Sequence, residues 1–109
     1  MCAGRGINQL LRQERNPRIL FIFGAITVVL GIVLGLKLIE WTIVILCIGL
    51  VGVTETLNSA IERTVDHTST EPHPLARQAK DIAAGASLLA VLTAGTVGLI
   101  LFLPKLLAL

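Results

Sequence analysis

Between positions 19 and 36 the chain carries no charged residue and a single polar side chain, Thr27. In a helix rising about 1.5 Å per residue, a run of that length covers most of a hydrocarbon layer about 30 Å thick. Because lipid offers the backbone no hydrogen bonds, such a run is restricted to helix unless it closes into a barrel. A second run opens at Trp41, whose indole suits the headgroup level. It is apolar to Val53 and continues amphipathically through Val65 without Gly or Pro to stop it. Lys37 and Glu40 lie in the short link before it. "STEPHP" at 69–74 reads as a loop, because its two prolines interrupt any helix. A third uncharged run covers 82–103 and stops at Pro104 and Lys105. The expected fold is all-α: spans at 19–36, 41–65 and 82–103, preceded by a short amphipathic interfacial helix at 3–17, in one membrane domain covering 1–109.

Length and composition suit a membrane domain, and no separate soluble domain is expected. Of 109 residues, 54% are hydrophobic and 15% charged, with a mean hydropathy of +0.85, so any chemistry belongs at or in a membrane. Cys2 and Cys47 stand too far apart in sequence to suggest a disulfide framework or a metal site. The N-terminus lacks the pattern of a signal peptide, and the first apolar run is expected to stay as an anchor. Arg5, Arg12, Arg15, Arg18, Arg63, Arg77 and Lys80 fall on one side of the spans, and Lys37 and Lys105 on the other. That imbalance places the N-terminus in the cytoplasm and the C-terminus outside. In "GRGINQLLRQERNPR", Ile7, Leu10 and Leu11 recur at helical spacing between basic residues, which suits a helix lying in the cytoplasmic interface.

The second span ends in "VTETLNSAIERTVDH", which puts Glu55, Asn58, Glu62 and Asp66 in its later half. At about 100° per residue these four share one helix face. Glu55 falls roughly 20 Å along from Trp41, still inside the hydrocarbon, and Glu62 near the boundary. A carboxylate at the depth of Glu55 is costly and points to function. Such groups can accept a proton from a hydroxyl, which suits Glu55, or hold Mg²⁺, which suits Glu62 with help from Glu14. Asn58 can orient either glutamate. The competing reading is structural, with Glu55 and Glu62 pairing with Arg15 or Arg18. Before the third span, "HPLARQAKD" carries His73, Arg77, Lys80 and Asp81; the two cations could face phosphates, and Asp81 could equally serve the helix dipole. Ala86, Ala90, Ala94 and Gly98, and likewise Gly31 and Gly35, repeat every four residues, a spacing expected to bring helices close. No phosphate loop, protein-kinase motif or zinc-ligand pattern is present.

"ETLNSAIERTVD" followed by "HPLARQAKDIAAGASLL" resembles the signature of the small bacterial integral-membrane lipid kinases, the prokaryotic diacylglycerol kinase and undecaprenol kinase family. The resemblance runs from Gly6 to Lys105 in one register. It implies an ATP- and Mg²⁺-dependent kinase that phosphorylates a membrane lipid hydroxyl. It further implies a homotrimer with active sites between subunits, in the bacterial plasma membrane, with no nucleic-acid partner. By that resemblance Glu55 matches the general base and Asn58 an active-site asparagine. Glu14 and Glu62 match the carboxylates that hold Mg²⁺ and nucleotide, Asp66 a nucleotide-side acid, and His73, Lys80 and Asp81 nucleotide contacts. "ERNPRI", Glu40–Trp41, "HPLA" and "FLPKL" look closer to Gram-positive undecaprenol kinases than to Gram-negative diacylglycerol kinases. The start of the chain, with Cys2 and Gly4, departs from the family's usual pattern.

Two other classes compete. A small multidrug transporter of this length also depends on an intramembrane glutamate, but it needs four spans. A non-catalytic membrane subunit with a polar helix seam would account for the small-residue spacing, and leaves unexplained four aligned polar groups beside a basic, proline-bounded loop.

Overall fold

The computed structural model describes residues 2–13, 15–68 and 74–109, and these form four α-helices. They are α1 (Cys2–Gln13), α2 (Arg15–Leu34), α3 (Leu38–Thr68) and α4 (Pro74–Leu107). Two helices are long and apolar enough to cross a membrane, over Leu38–His67 and Pro74–Leu107; the apolar part of α2, Arg18–Leu34, is shorter. At about 1.5 Å per residue, α3 and α4 measure roughly 46 and 51 Å, well beyond a hydrocarbon layer of about 30 Å. Their ends therefore project past it, and the charged residues other than Glu55 gather toward them. The molecule is elongated, 55 × 31 × 20 Å.

The turn between α2 and α3 follows from local chemistry. Gly35 has φ +71°, the left-handed conformation that ends a helix and that a Cβ disfavours. Its N–H bonds to the carbonyl of Ile32 at 3.3 Å and that of Leu36 to Gly31 at 3.1 Å, the paired bonds of a Schellman end. Leu36 then joins a small core with Val44 and Phe102, against which Leu30 packs. Gly31 is needed for closeness: a Cβ there would lie 2.8 Å from both Leu36 Cδ1 and Trp41 Cη2. The four-residue interval of these glycines therefore serves a turn and a ring contact, not a helix–helix seam. Glu40 begins α3 as half of a capping box, its Oε1 accepting from the Lys37 backbone N–H at 2.9 Å. The same oxygen meets Lys105 Nζ at 3.2 Å. With Phe102 buried and Lys105 paired, α4 gains contacts on both sides of Pro104 and runs through it.

α3 packs along α4, with Ala83, Ser87 and Ala90 buried on the α4 face. Ala94 and Gly98 are half-buried and Ala86 is exposed, so only part of the small-residue series lies in the contact. Most other described apolar side chains are open, Val33 at 73% and Leu89 at 68% among them. Faces that extensive belong against lipid or other chains. Threonine hydroxyls within the apolar stretches donate to carbonyls one turn back: Thr27 to Phe23 at 2.8 Å, Thr56 to Gly52 at 2.7 Å and Thr96 to Leu92 at 2.8 Å. This lets them enter lipid without an open donor.

Candidate active site

The stripe on α3 divides between two environments. Glu55 is half-buried and lies in the wall of an apolar cleft of about 930 Å³ bounded by α2, α3 and α4. Gly24, Thr27, Val51, Gly52 and Thr56 line the cleft around it, with Val91 and Phe102 along α4. Among the described residues Glu55 has no hydrogen-bond or ion-pair partner. The apolar surroundings make Glu55 a charged group in the lining of a groove that suits a hydrocarbon chain.

One turn on, Asn58 and Glu62 are both half-buried. Asn58 Nδ2 donates to Glu62 Oε1 at 3.4 Å, an i,i+4 contact that orients the glutamate. Among the described residues Asn58 Oδ1 is buried without a partner. At the end of α3, Asp66 Oδ1 accepts from Lys80 Nζ at 2.9 Å, which closes α3 onto α4. Lys80 lies outside the uncharged run that begins at Ile82. Its pKa is raised above the ordinary lysine value, first by the hydrogen bond to Asp66, then by the charge of Asp66 and, less strongly, of Glu62 and Asp81. The lysine thus sits in the field of three carboxylates. At the opposite end, Glu40 is held below the ordinary carboxylate value, first by the Lys37 backbone bond and then by Lys105, against the opposing effect of burial.

The structure therefore brings Asn58, Glu62, Asp66 and Lys80 into one cluster, with Asp81 exposed beside it and Glu55 on the cleft side. Lys80 is paired on the stripe through Asp66. Glu14, His73 and the loop expected at 69–74 up to Pro74 lie outside the described residues. Among the described residues no three His, Cys, Asp or Glu side chains converge as a metal cage. Glu62 alone still fits Mg²⁺, which typically binds through one or two carboxylates together with substrate phosphates. Sequence reasoning missed Ser87, whose Oγ lies 3.4 Å from the Thr54 carbonyl in the α3–α4 contact. Its signal was present: Lys80, Ala83, Ser87 and Ala90 recur at the spacing of one helix face.

Comparison with known proteins bears on the family of the chain. The family model described as prokaryotic diacylglycerol kinase matches residues 1–102. The undecaprenol kinase of Bacillus subtilis is 43% identical over 104 residues, 95% of this chain and 85% of that protein. The diacylglycerol kinase of Synechocystis is 40% identical over 108 residues, 98% of this chain and 62% of that protein. That of Helicobacter pylori is 41% identical over 80 residues, 73% of this chain and 62% of that protein. The match thus spans a smaller share of these two diacylglycerol kinases than of the undecaprenol kinase.

Proposed function

Because the chain belongs to the prokaryotic diacylglycerol kinase family, we propose that it is a lipid kinase of the bacterial plasma membrane that transfers the γ-phosphate of ATP to the hydroxyl of undecaprenol. The observation that carries this reading is the position of Glu55, the carboxylate in the wall of an apolar cleft. The name and the near-complete coverage of the Bacillus subtilis relative favour undecaprenol over diacylglycerol.

In this reading the prenyl chain lies along the cleft with its hydroxyl at Glu55. Glu55 takes the hydroxyl proton as the oxygen bonds to the γ-phosphorus, and the bond from that phosphorus to the bridging oxygen of ADP breaks. The products are undecaprenyl phosphate and ADP. Phosphoryl transfer depends chiefly on positioning and charge neutralisation. Lys80 faces the phosphates while Asp66 holds its ammonium, and Asn58 fixes the carboxylate of Glu62. Glu62, with Glu14, would hold Mg²⁺, which neutralises phosphate charge when bound with the nucleotide. Asp81 and His73 complete the nucleotide side.

Three spans and a homotrimer with sites between subunits complete the proposal. The excess of basic residues at the Lys80 end supports a cytoplasmic N-terminus, and the open apolar faces supply surface for neighbouring copies. The test is transfer of labelled γ-phosphate from ATP with Mg²⁺ to undecaprenol and, in parallel, to diacylglycerol. Preferential labelling of undecaprenol, lowered at least about 100-fold in Glu55→Gln with nucleotide binding retained, is the expected result. Preferential labelling of diacylglycerol would overturn the substrate assignment, and no label in either lipid would overturn the kinase.

A further inference from the structure

The α3–α4 contact buries a hydroxyl that the transfer step does not use. Ser87 is 6% exposed, in the uncharged part of α4. Its Oγ reaches the Thr54 carbonyl at 3.4 Å, the outer limit of a hydrogen bond. In an α-helix that carbonyl also receives the N–H four residues on, here that of Asn58. The Ser87 hydroxyl therefore lies beside the peptide from which the Asn58 side chain departs. Asn58 in turn has a buried Oδ1 with no partner among the described residues and a long 3.4 Å bond from Nδ2 to Glu62. A carboxamide oxygen accepts hydrogen bonds, and a buried one left unmatched is expensive. The Thr54 hydroxyl is committed, 2.9 Å from the Leu50 carbonyl and 3.0 Å from that of Val51. Lys80 is committed to Asp66. Among the described residues Ser87 is a neighbouring donor with a weak bond to give up.

We infer that Ser87 is a positioning residue for Asn58: a rotation about its Cα–Cβ bond moves the hydroxyl from the Thr54 carbonyl to Asn58 Oδ1, locking the carboxamide with Nδ2 toward Glu62. The bond ties the uncharged part of α4 to the carboxylate stripe of α3. Its kinetic consequence rests on the kinase reading; the hydrogen bond itself does not.

The experiment compares Ser87→Ala and Ser87→Thr with the unaltered chain in lipid, by side-chain amide NMR and by phosphoryl-transfer kinetics. The Asn58 carboxamide is assigned through its loss in Asn58→Ala. Ser87→Ala shifts that resonance and leaves those of Asn8 and Asn16 in place. It also lowers kcat about three- to tenfold, the scale of one hydrogen bond, with KM for ATP unchanged. Ser87→Thr, which keeps the hydroxyl, restores both. An unmoved Asn58 resonance in Ser87→Ala overturns the inference, and so does a shifted resonance with unchanged kcat. A fall seen only as a raised KM likewise removes the positioning role. Should the unaltered chain transfer no phosphate, the kinase reading fails and the resonance alone decides for or against the bond.

Discussion

Lys80 and Asp66 meet at 2.9 Å although both side chains remain partly open, 39% and 64% exposed. The bond therefore positions charge more than it stabilises the fold. In Asp66→Asn the ammonium loses its anchor; the expected result is a KM for ATP raised about tenfold with the fold intact, measured by initial rates and circular dichroism. The sign of its pH dependence follows from the raised lysine pKa. The contribution is complete below the unfolded value of about 10.4 and is lost as pH rises through the higher folded value. Glu40 behaves inversely: its lowered pKa makes its contribution complete above the ordinary carboxylate value, and falling pH removes it. Trp41, the sole tryptophan, adjoins Glu40 and packs on the Leu36 core. Its emission should hold steady from neutral pH down to about the ordinary carboxylate value of 4.3 and shift below it. A shift already complete near neutral pH would contradict the assigned cap.

At the level of helices, much was legible because lipid leaves a charge-free run few alternatives to helix. The stripe on α3 was legible for a similar reason, since polar residues at helical intervals stand out against an apolar ground. Other features depend on partners that sequence does not display. Ser87 reads as one more small residue because its partner is a backbone carbonyl on another helix. Gly31 and Gly35 read as a seam, whereas one accommodates an indole and the other carries a positive φ. α4 begins at Pro74, ahead of its uncharged run, because proline suits a first helical turn and the charged residues after it remain helix formers. The glycines give a separable prediction. Gly35→Ala should cost about 1–2 kcal/mol through backbone strain, with Trp41 emission unchanged. Gly31→Val should destabilise and also shift that emission, because its methyl groups meet the ring. Reversible unfolding in detergent, followed by circular dichroism and fluorescence, distinguishes the two.

Across the whole molecule, exposed apolar surface exceeds what a lone soluble chain carries. Lipid can cover it, and so can copies of the chain, and the proposed trimer predicts that part of the cleft wall adjoins a neighbour. Native mass spectrometry of the protein in mild detergent should show three copies per particle; a monomer that retains full turnover would refute sites shared between subunits. The clasps at the two ends of the long pair have a mechanical meaning. Asp66–Lys80 pins one end of α3 to α4 and Glu40–Lys105 the other. Sliding either helix along its axis by one residue, about 1.5 Å, would disturb the register of both pairs at once. With Ala83, Ser87 and Ala90 buried along α4 between those ends, the long pair forms a single stave, and α2 is fastened to it at the Gly35 turn, where Leu30 and Leu34 pack on Leu36, Val44 and Phe102.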